Sequence, residues 1–101
     1  MKRTQIDDGG WFDLDTSENW GESTRWDGAN HISLATGSQF DHEMLYRTHR
    51  GVWILHCWSQ WQGTAESYVR IDESDAHVWL ARHDPDSLAA MAPDVLAAME
   101  V

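Results

Sequence analysis

The sequence predicts an α+β domain: an antiparallel sheet of three or four strands ordered as a meander, with helices packed on one face. The run from Gly51 to Trp61 is strongly apolar, neighbouring segments alternate apolar and polar residues, and residues 72–99 show helical spacing. With 101 residues, the chain has the size of one domain. We expect a single domain over 1–101, with a core of about 26–83 and a C-terminal helical segment at 84–99.

The apolar run predicts the central strand, because successive side chains of a strand point to opposite faces and both faces here are apolar. Such a strand needs a neighbour on each side and cover on both faces. One face would carry Val52, Ile54, His56 and Trp58, and the other would carry Trp53, Leu55 and Cys57.

The first thirty-odd positions give weaker signals. Gly9-Gly10 predicts a frayed start, and Trp11-Phe12-Asp13-Leu14 fits either a short strand or an apolar anchor. Asp15-Thr16-Ser17-Glu18 has the form of a capping box and predicts a short helix from Thr16 to about Glu22. After the Asp27-Gly28 turn, residues 31–36 alternate as a half-buried strand with Ile32 and Leu34 inward.

Two further strands and three helices complete the prediction. Residues 43–48 form a hairpin with the central strand through His49-Arg50-Gly51, and residues 66–71 return as the next strand. Asp72 would cap a helix whose buried face carries Ala76, Trp79, Leu80 and His83. Asp84-Pro85 ends this helix and starts another, and Pro93 divides the remainder.

Charge carries most of the functional signal. Seventeen acidic and seven basic residues give a net charge of −10. Residues 7–27 and residues 72–101 each hold seven acids against one arginine. Two acidic arms of this kind repel free nucleic acid and attract a protein with a basic surface, including a nucleic-acid-binding complex. Solubility is the competing explanation of the same charge.

The candidate partner-binding residues combine these arms with aromatic and amide side chains after the central strand, where Trp and Gln can stack and hydrogen-bond. Packing of Trp58 and Trp61 beneath the C-terminal helices with Trp79 is the alternative. The candidate set is Asp13, Asp15, Glu18, Glu22, Asp27, Trp58, Gln60, Trp61, Asp72, Glu73 and Asp75.

The histidines and the single cysteine give no catalytic or metal signature. His42, His49 and His56 lie seven residues apart in predicted strands, and no carboxylate or cysteine cluster with ligand spacing completes a set. Cys57 reads as a buried thiol, which suits a reducing compartment. We therefore expect no cofactor, no metal and no enzyme activity.

A pattern in the middle of the chain resembles small bacterial and mobile-element proteins with no assigned activity. It runs through Leu45-Tyr46-Arg47-Thr48, Gly51-Val52-Trp53, the segment from Trp58 to Gly63, Tyr68, Ile71 and Ala76-x-x-Trp79-Leu80, covering about residues 26–83. The resemblance implies a compact domain and no catalytic residue. In charge alone, the chain is similar to phage-borne acidic inhibitors such as anti-CRISPR proteins and nucleic-acid mimics.

The leading hypothesis is a non-enzymatic, cytoplasmic, acidic protein-binding module, of which an inhibitor of a nucleic-acid-binding machine is one form. Neither a signal peptide nor a membrane span is expected, because no segment is sufficiently apolar. Two alternatives stay open. One is a small histidine-dependent enzyme or metal protein using His42, His49 or His56, and the other is a homo-oligomer, such as a homodimer, held by exposed tryptophans.

Overall fold

The computed structural model describes residues 1–38, 41–60 and 66–101, and within them the fold is α+β, as predicted. Four strands form one antiparallel sheet in the order β3-β6-β7-β8, while β1–β2 and β4–β5 form separate hairpins. The strands are β1 (Arg3–Gln5), β2 (Trp11–Asp13), β3 (Glu18–Gly21), β4 (Thr24–Trp26), β5 (His31–Ser33), β6 (Asp41–Arg47), β7 (Trp53–Ser59) and β8 (Ser67–Ile71). The helices are α1 (Glu73–His83), α2 (Pro85–Met91) and α3 (Pro93–Ala98).

The central position of β7 is confirmed. Leu55 of β7 lies opposite Leu45 of β6 and opposite Val69 of β8, so the strand has a neighbour on each side. β6, β7 and β8 follow one another as a meander, and Gly51 at φ +82° closes the β6–β7 turn. β3 is added at the outer side of β6.

One face of the sheet packs against the helices. Leu45 and Trp53 join buried residues of α1 and Leu88 of α2 in a single apolar cluster. Asp72 caps α1 by accepting the amide of Asp75 at 2.7 Å. The predicted buried positions of α1 are confirmed, as are the starts of α2 and α3 at prolines; those positions are Ala76, Trp79, Leu80 and His83.

The β1–β2 hairpin covers the opposite face, so the expectation of a frayed start is wrong. Ile6 and Phe12 are only 3% and 5% exposed and pack with Tyr46 and Ile54. Gly9, at φ +97°, forms a tight turn in which the Ile6 amide donates to the Gly10 carbonyl. The glycine pair therefore closes a hairpin instead of ending regular structure.

The loop between β1 and β2 also reaches the outer side of β8. The Asp7 amide donates to the Tyr68 carbonyl at 2.8 Å, and the Asp8 carboxylate accepts from Arg70 Nε at 3.0 Å. These contacts attach the N-terminal hairpin to the last strand of the sheet.

The predicted helix from Thr16 to Glu22 is wrong. A single 3-10 turn at Leu14–Thr16 is followed directly by β3, whose Trp20 lies opposite Leu45 and contacts the Trp53 ring with centroids 5.5 Å apart. Asn19 and Gly21 are poor helix formers, and an extended chain buries part of Trp20 in the helix-side core. Tertiary packing thus overrides the capping signal.

The strand predicted at residues 31–36 is only partly correct. β5 ends at Ser33 and pairs with β4, not with the meander. The Ser33 hydroxyl accepts the amides of Ala35 and Thr36, which turns the chain and leaves Leu34 43% exposed instead of inward.

The helices are short compared with a helix that crosses a membrane. α1 has 11 residues, and across the described ranges the structure has no helix long and apolar enough to span a bilayer.

Candidate functional site

The structure separates the predicted acidic site residues into two groups. Most are exposed in loops, on β3 or at the start of α1, where a partner could reach them; these are Asp15, Glu18, Asp27, Asp72, Glu73 and Asp75. Asp13 and Glu22 instead turn inward and hold parts of the fold together.

Asp13 is 8% exposed and fastens the N-terminal segment. Its carboxylate accepts the Lys2 amide at 3.0 Å and the Asp15 amide at 3.1 Å. Burial acts to raise the pKa of Asp13, but these two amides and the Thr16 hydroxyl outweigh it, so the pKa is lowered. An ionised, internally bonded carboxylate has little left to offer a partner.

Glu22 lies between β3 and β4 with its side chain 9% exposed, and it joins three segments. One oxygen contacts His42 Nδ1 at 2.5 Å, while the other accepts the Ser33 hydroxyl and the Glu43 amide, each at 2.7 Å. The partners lie 11 to 21 residues away in sequence, so no local pattern indicates this role.

Trp58 lies on the face opposite the helices. Its ring is 5.5 Å from His42 and 4.7 Å from His56, centroid to centroid. The alternative that placed it beneath the helices with Trp79 is therefore wrong for Trp58. Gln60 is exposed as a binding role requires, and Trp61 lies outside the described residues.

A row of stacked rings continues from Trp58 along this face. His56 stacks on Tyr68 at 4.1 Å with planes only 6° apart, and its Nε2 lies 2.9 Å from Glu66. His49 belongs elsewhere, since its Nδ1 contacts the Thr16 hydroxyl at 3.3 Å. Of the three candidate histidines, the structure thus brings only His42 and His56 together.

Over residues 1–38, 41–60 and 66–101, no group of three or more His, Cys, Asp or Glu side chains could hold a metal ion. Nε2 of His42 and Nδ1 of His56 are buried, and no hydrogen-bond partner is found for either nitrogen in those ranges.

Cys57 points to the helix side of the sheet, away from His56. Burial raises the pKa of its thiol, and the Glu43 carboxylate raises it further, with Oε2 4.0 Å from Sγ. A thiol held in its protonated form is a poor nucleophile. This environment agrees with the structural role expected from the sequence.

Among the described residues, two other tryptophans are exposed. Trp11 is 53% exposed with the Arg3 guanidinium 4.7 Å from its ring, and Trp26 is 60% exposed beside His31 on the β4–β5 hairpin. Neither belongs to the predicted partner-binding set. The exposure of Trp26 could have been predicted from its place in the sequence. Trp26 directly precedes the Asp27-Gly28 turn, and side chains at the tip of a hairpin tend to reach solvent.

His83 ties α1 to the chain between β3 and β4. Its Nδ1 accepts the Ser23 amide at 3.0 Å, a bond that requires an unprotonated nitrogen. Burial lowers the pKa of His83, and Arg82 lowers it further, although Glu43 and Glu22 act in the opposite direction. The folded protein therefore takes up this proton at lower pH than the unfolded chain does.

We expect this histidine to make stability depend on pH. Above about pH 6.5 the imidazole is neutral in both states, and its contribution is complete. As pH falls, the unfolded chain is protonated first, so the free energy of unfolding decreases until the lowered pKa has been passed. Urea denaturation at about pH 7.5 and about pH 5.5 should show a larger loss for wild type than for His83→Asn. Equal losses would contradict this assignment.

The acidic charge is largely unneutralised. Among the described residues, only Asp8 and Asp15 form ion pairs with groups other than histidine, namely Arg70 and the N-terminal ammonium. The remaining ion pairs involve histidines. Most exposed carboxylates therefore remain available to an external cation.

No known protein family matches this sequence, and no curated protein or solved structure is significantly similar to it.

Proposed function

We propose that this protein is a non-enzymatic binding module whose exposed carboxylates engage a basic surface of another protein. The observation that carries the proposal is the exposed acidic charge: among the described residues, only Asp8 and Asp15 pair with an arginine or the N-terminal ammonium, against a net charge of −10. Such a surface accelerates encounter with a basic partner and selects against acidic ones.

The strongest local concentration of this charge is the α1 acidic cluster, consisting of Asp72, Glu73 and Asp75. All three side chains are exposed at the first turn of the helix. Lysine and arginine are the groups that carboxylates bind most strongly, and the same groups bind nucleic-acid phosphates. A nucleic-acid-binding complex is therefore the class of partner that we propose.

Occupation of such a surface would exclude nucleic acid from it. This supports the proposal of an inhibitor resembling, in charge, anti-CRISPR proteins and nucleic-acid mimics. The proposed contact residues are the exposed acidic members of the predicted set, together with Trp58 and Gln60 of the same set. Asp13 and Glu22 are left out because their carboxylates hold the fold.

The proposal can be tested with the DNA-binding protein fraction of the host cell, prepared on immobilised DNA. Wild-type protein should displace one or more components from the DNA at about 50 mM salt, and this effect should decline steeply by about 500 mM. The variant Asp72→Asn/Glu73→Gln/Asp75→Asn should be about tenfold weaker. Asn also caps helices, so α1 should be retained.

A matched variant controls for total charge. Asp86→Asn/Asp94→Asn/Glu100→Gln removes the same number of exposed carboxylates from α2, α3 and the C-terminal end. It should change displacement by less than about twofold. Equal weakening by both variants would contradict the assignment of contact to the α1 acidic cluster, and displacement insensitive to salt would contradict the electrostatic proposal. No displacement at any salt concentration would favour charge that serves solubility alone.

The alternatives make different predictions. A histidine-dependent enzyme or metal protein would now depend on His42 and His56, and stoichiometric metal in the purified protein would replace our proposal. A homo-oligomer would use exposed tryptophans such as Trp11 or Trp26 and would sediment as a larger species at higher concentration.

A further inference from the structure

A groove lies between the β1–β2 hairpin and the β6–β7 turn. Its volume is about 360 Å³, within the range of small-ligand pockets. Ile6, Phe12, Val52 and Ile54 supply apolar lining, and the half-exposed indole of Trp11 forms an aromatic wall. We call this the Trp11 groove. An apolar, ring-shaped body could pack against such a surface.

The lining of the Trp11 groove is unusually basic for this molecule. Arg50 and Arg70 line it together with His49, and Arg3 lies over the Trp11 ring. Three of the seven basic residues of an acidic chain therefore gather at one place. Arg50 is exposed and forms no ion pair with any carboxylate in the described ranges.

Arg70 is held in position. Its Nε donates to the Asp8 carboxylate at 3.0 Å, and Nη2 lies 3.4 Å from where a Cβ would stand on Gly10. The guanidinium therefore lies close to the β1–β2 turn. Because Asp8 contacts only the Nε side, the guanidinium retains donors for a second anion.

The carboxylates near the groove already have hydrogen-bond or ion-pair partners within the protein. Asp13 is the acidic residue in its lining, and one of its oxygens accepts two backbone amides. Asp8 is paired with Arg70. Arg50 thus has no carboxylate partner in the part of the chain that the structure describes, and it lies against an apolar and aromatic surface.

We propose that the Trp11 groove binds a small molecule that combines a planar apolar body with an anionic group. The body packs on the exposed indole of Trp11, and the anion accepts hydrogen bonds from Arg50 and Arg70. Aromatic carboxylates and nucleoside monophosphates share this chemistry. The site is separate from the acidic residues of the proposed function, so either proposal can fail without the other.

Paired probes test the role of the anion and distinguish the two sources. Indole-3-acetate is compared with neutral indole-3-acetamide, and adenosine 5′-monophosphate with adenosine, by NMR titration of the tryptophan indole signals. In at least one pair the anion should bind about tenfold more tightly than its neutral analogue, with the largest shift at Trp11. The pair that shows the difference identifies the source.

Three single substitutions locate the binding energy. Arg50→Gln and Arg70→Gln should each weaken binding of the anion by about tenfold, whereas Arg82→Gln, an exposed arginine of α1, should leave it unchanged. All three side chains are exposed, and Arg50→Gln and Arg82→Gln should melt as wild type does. Arg70→Gln also removes the Asp8 contact, so its binding is measured at a temperature at which thermal denaturation shows it fully folded. Equal affinity for anionic and neutral probes, equal losses in all three variants, or no Trp11 shift at about 10 mM of any probe would overturn the proposal.

Discussion

Phe12→Ala should lower the free energy of unfolding by about 3–5 kcal/mol. The Phe12 ring is 5% exposed and contacts the rings of Tyr46 and Tyr68 at 5.8 and 5.7 Å, so truncation removes buried surface and leaves a cavity. The total free energy of unfolding of a single domain is only about 5–15 kcal/mol. Urea denaturation followed by far-UV circular dichroism measures the loss.

The adjacent residue provides the control. Trp11 is 53% exposed on the other side of the same strand, and its Trp11→Ala variant should cost less than about 1 kcal/mol, including loss of the Arg3 contact. If Phe12→Ala cost no more than Trp11→Ala, the N-terminal hairpin would not cover the sheet. The frayed start expected from the glycine pair would then be correct.

Glu22→Ala should lower the free energy of unfolding by about 3 kcal/mol. The substitution leaves the His42 ring, the Ser33 hydroxyl and the Glu43 amide without their acceptor in a site that little water reaches. Unmet buried donors are costly because they have given up hydration without a replacement. Denaturation at neutral pH gives the magnitude.

Two variants show whether position or charge is responsible. Glu18→Gln removes the same charge from an exposed site on β3 and should change stability by less than about 0.5 kcal/mol. Glu22→Gln keeps the side-chain length and one acceptor oxygen. Its loss of unfolding free energy should therefore fall between those of Glu18→Gln and Glu22→Ala. Similar values for Glu18→Gln and Glu22→Ala would contradict the role of Glu22 as a junction.

Most of the sheet and all three helices could be predicted because their signals are local. The two-sided apolar run identifies β7, Asp72 marks the start of α1, and prolines at 85 and 93 mark the next two helices. The N-terminal third could not be predicted in this way. The capping-box signal after Asp15 was overridden because burial of Trp20 favours an extended strand, and that burial depends on residues distant in sequence.

The candidate site shows the same contrast between features set by local sequence and features set by residues distant in sequence. The total charge follows from composition, and the exposure of the α1 acidic cluster follows from helix capping. Both could therefore be predicted from the sequence. The inward turn of Glu22 depends on His42 and Ser33, which only the folded chain brings near it. The exposed position of Trp26 likewise depends on a hairpin that pairs apart from the main sheet.

The attachment of the β1–β2 loop to β8 has a consequence for behaviour at high concentration. A strand at the end of a sheet offers unpaired amides and carbonyls on which another polypeptide can add by strand addition, the first step of many aggregation reactions. Here the Asp7 amide already occupies the Tyr68 carbonyl, and the Asp8–Arg70 pair places opposite charges alongside. The β1–β2 loop therefore hinders intermolecular β-pairing at Tyr68 and Arg70 of β8.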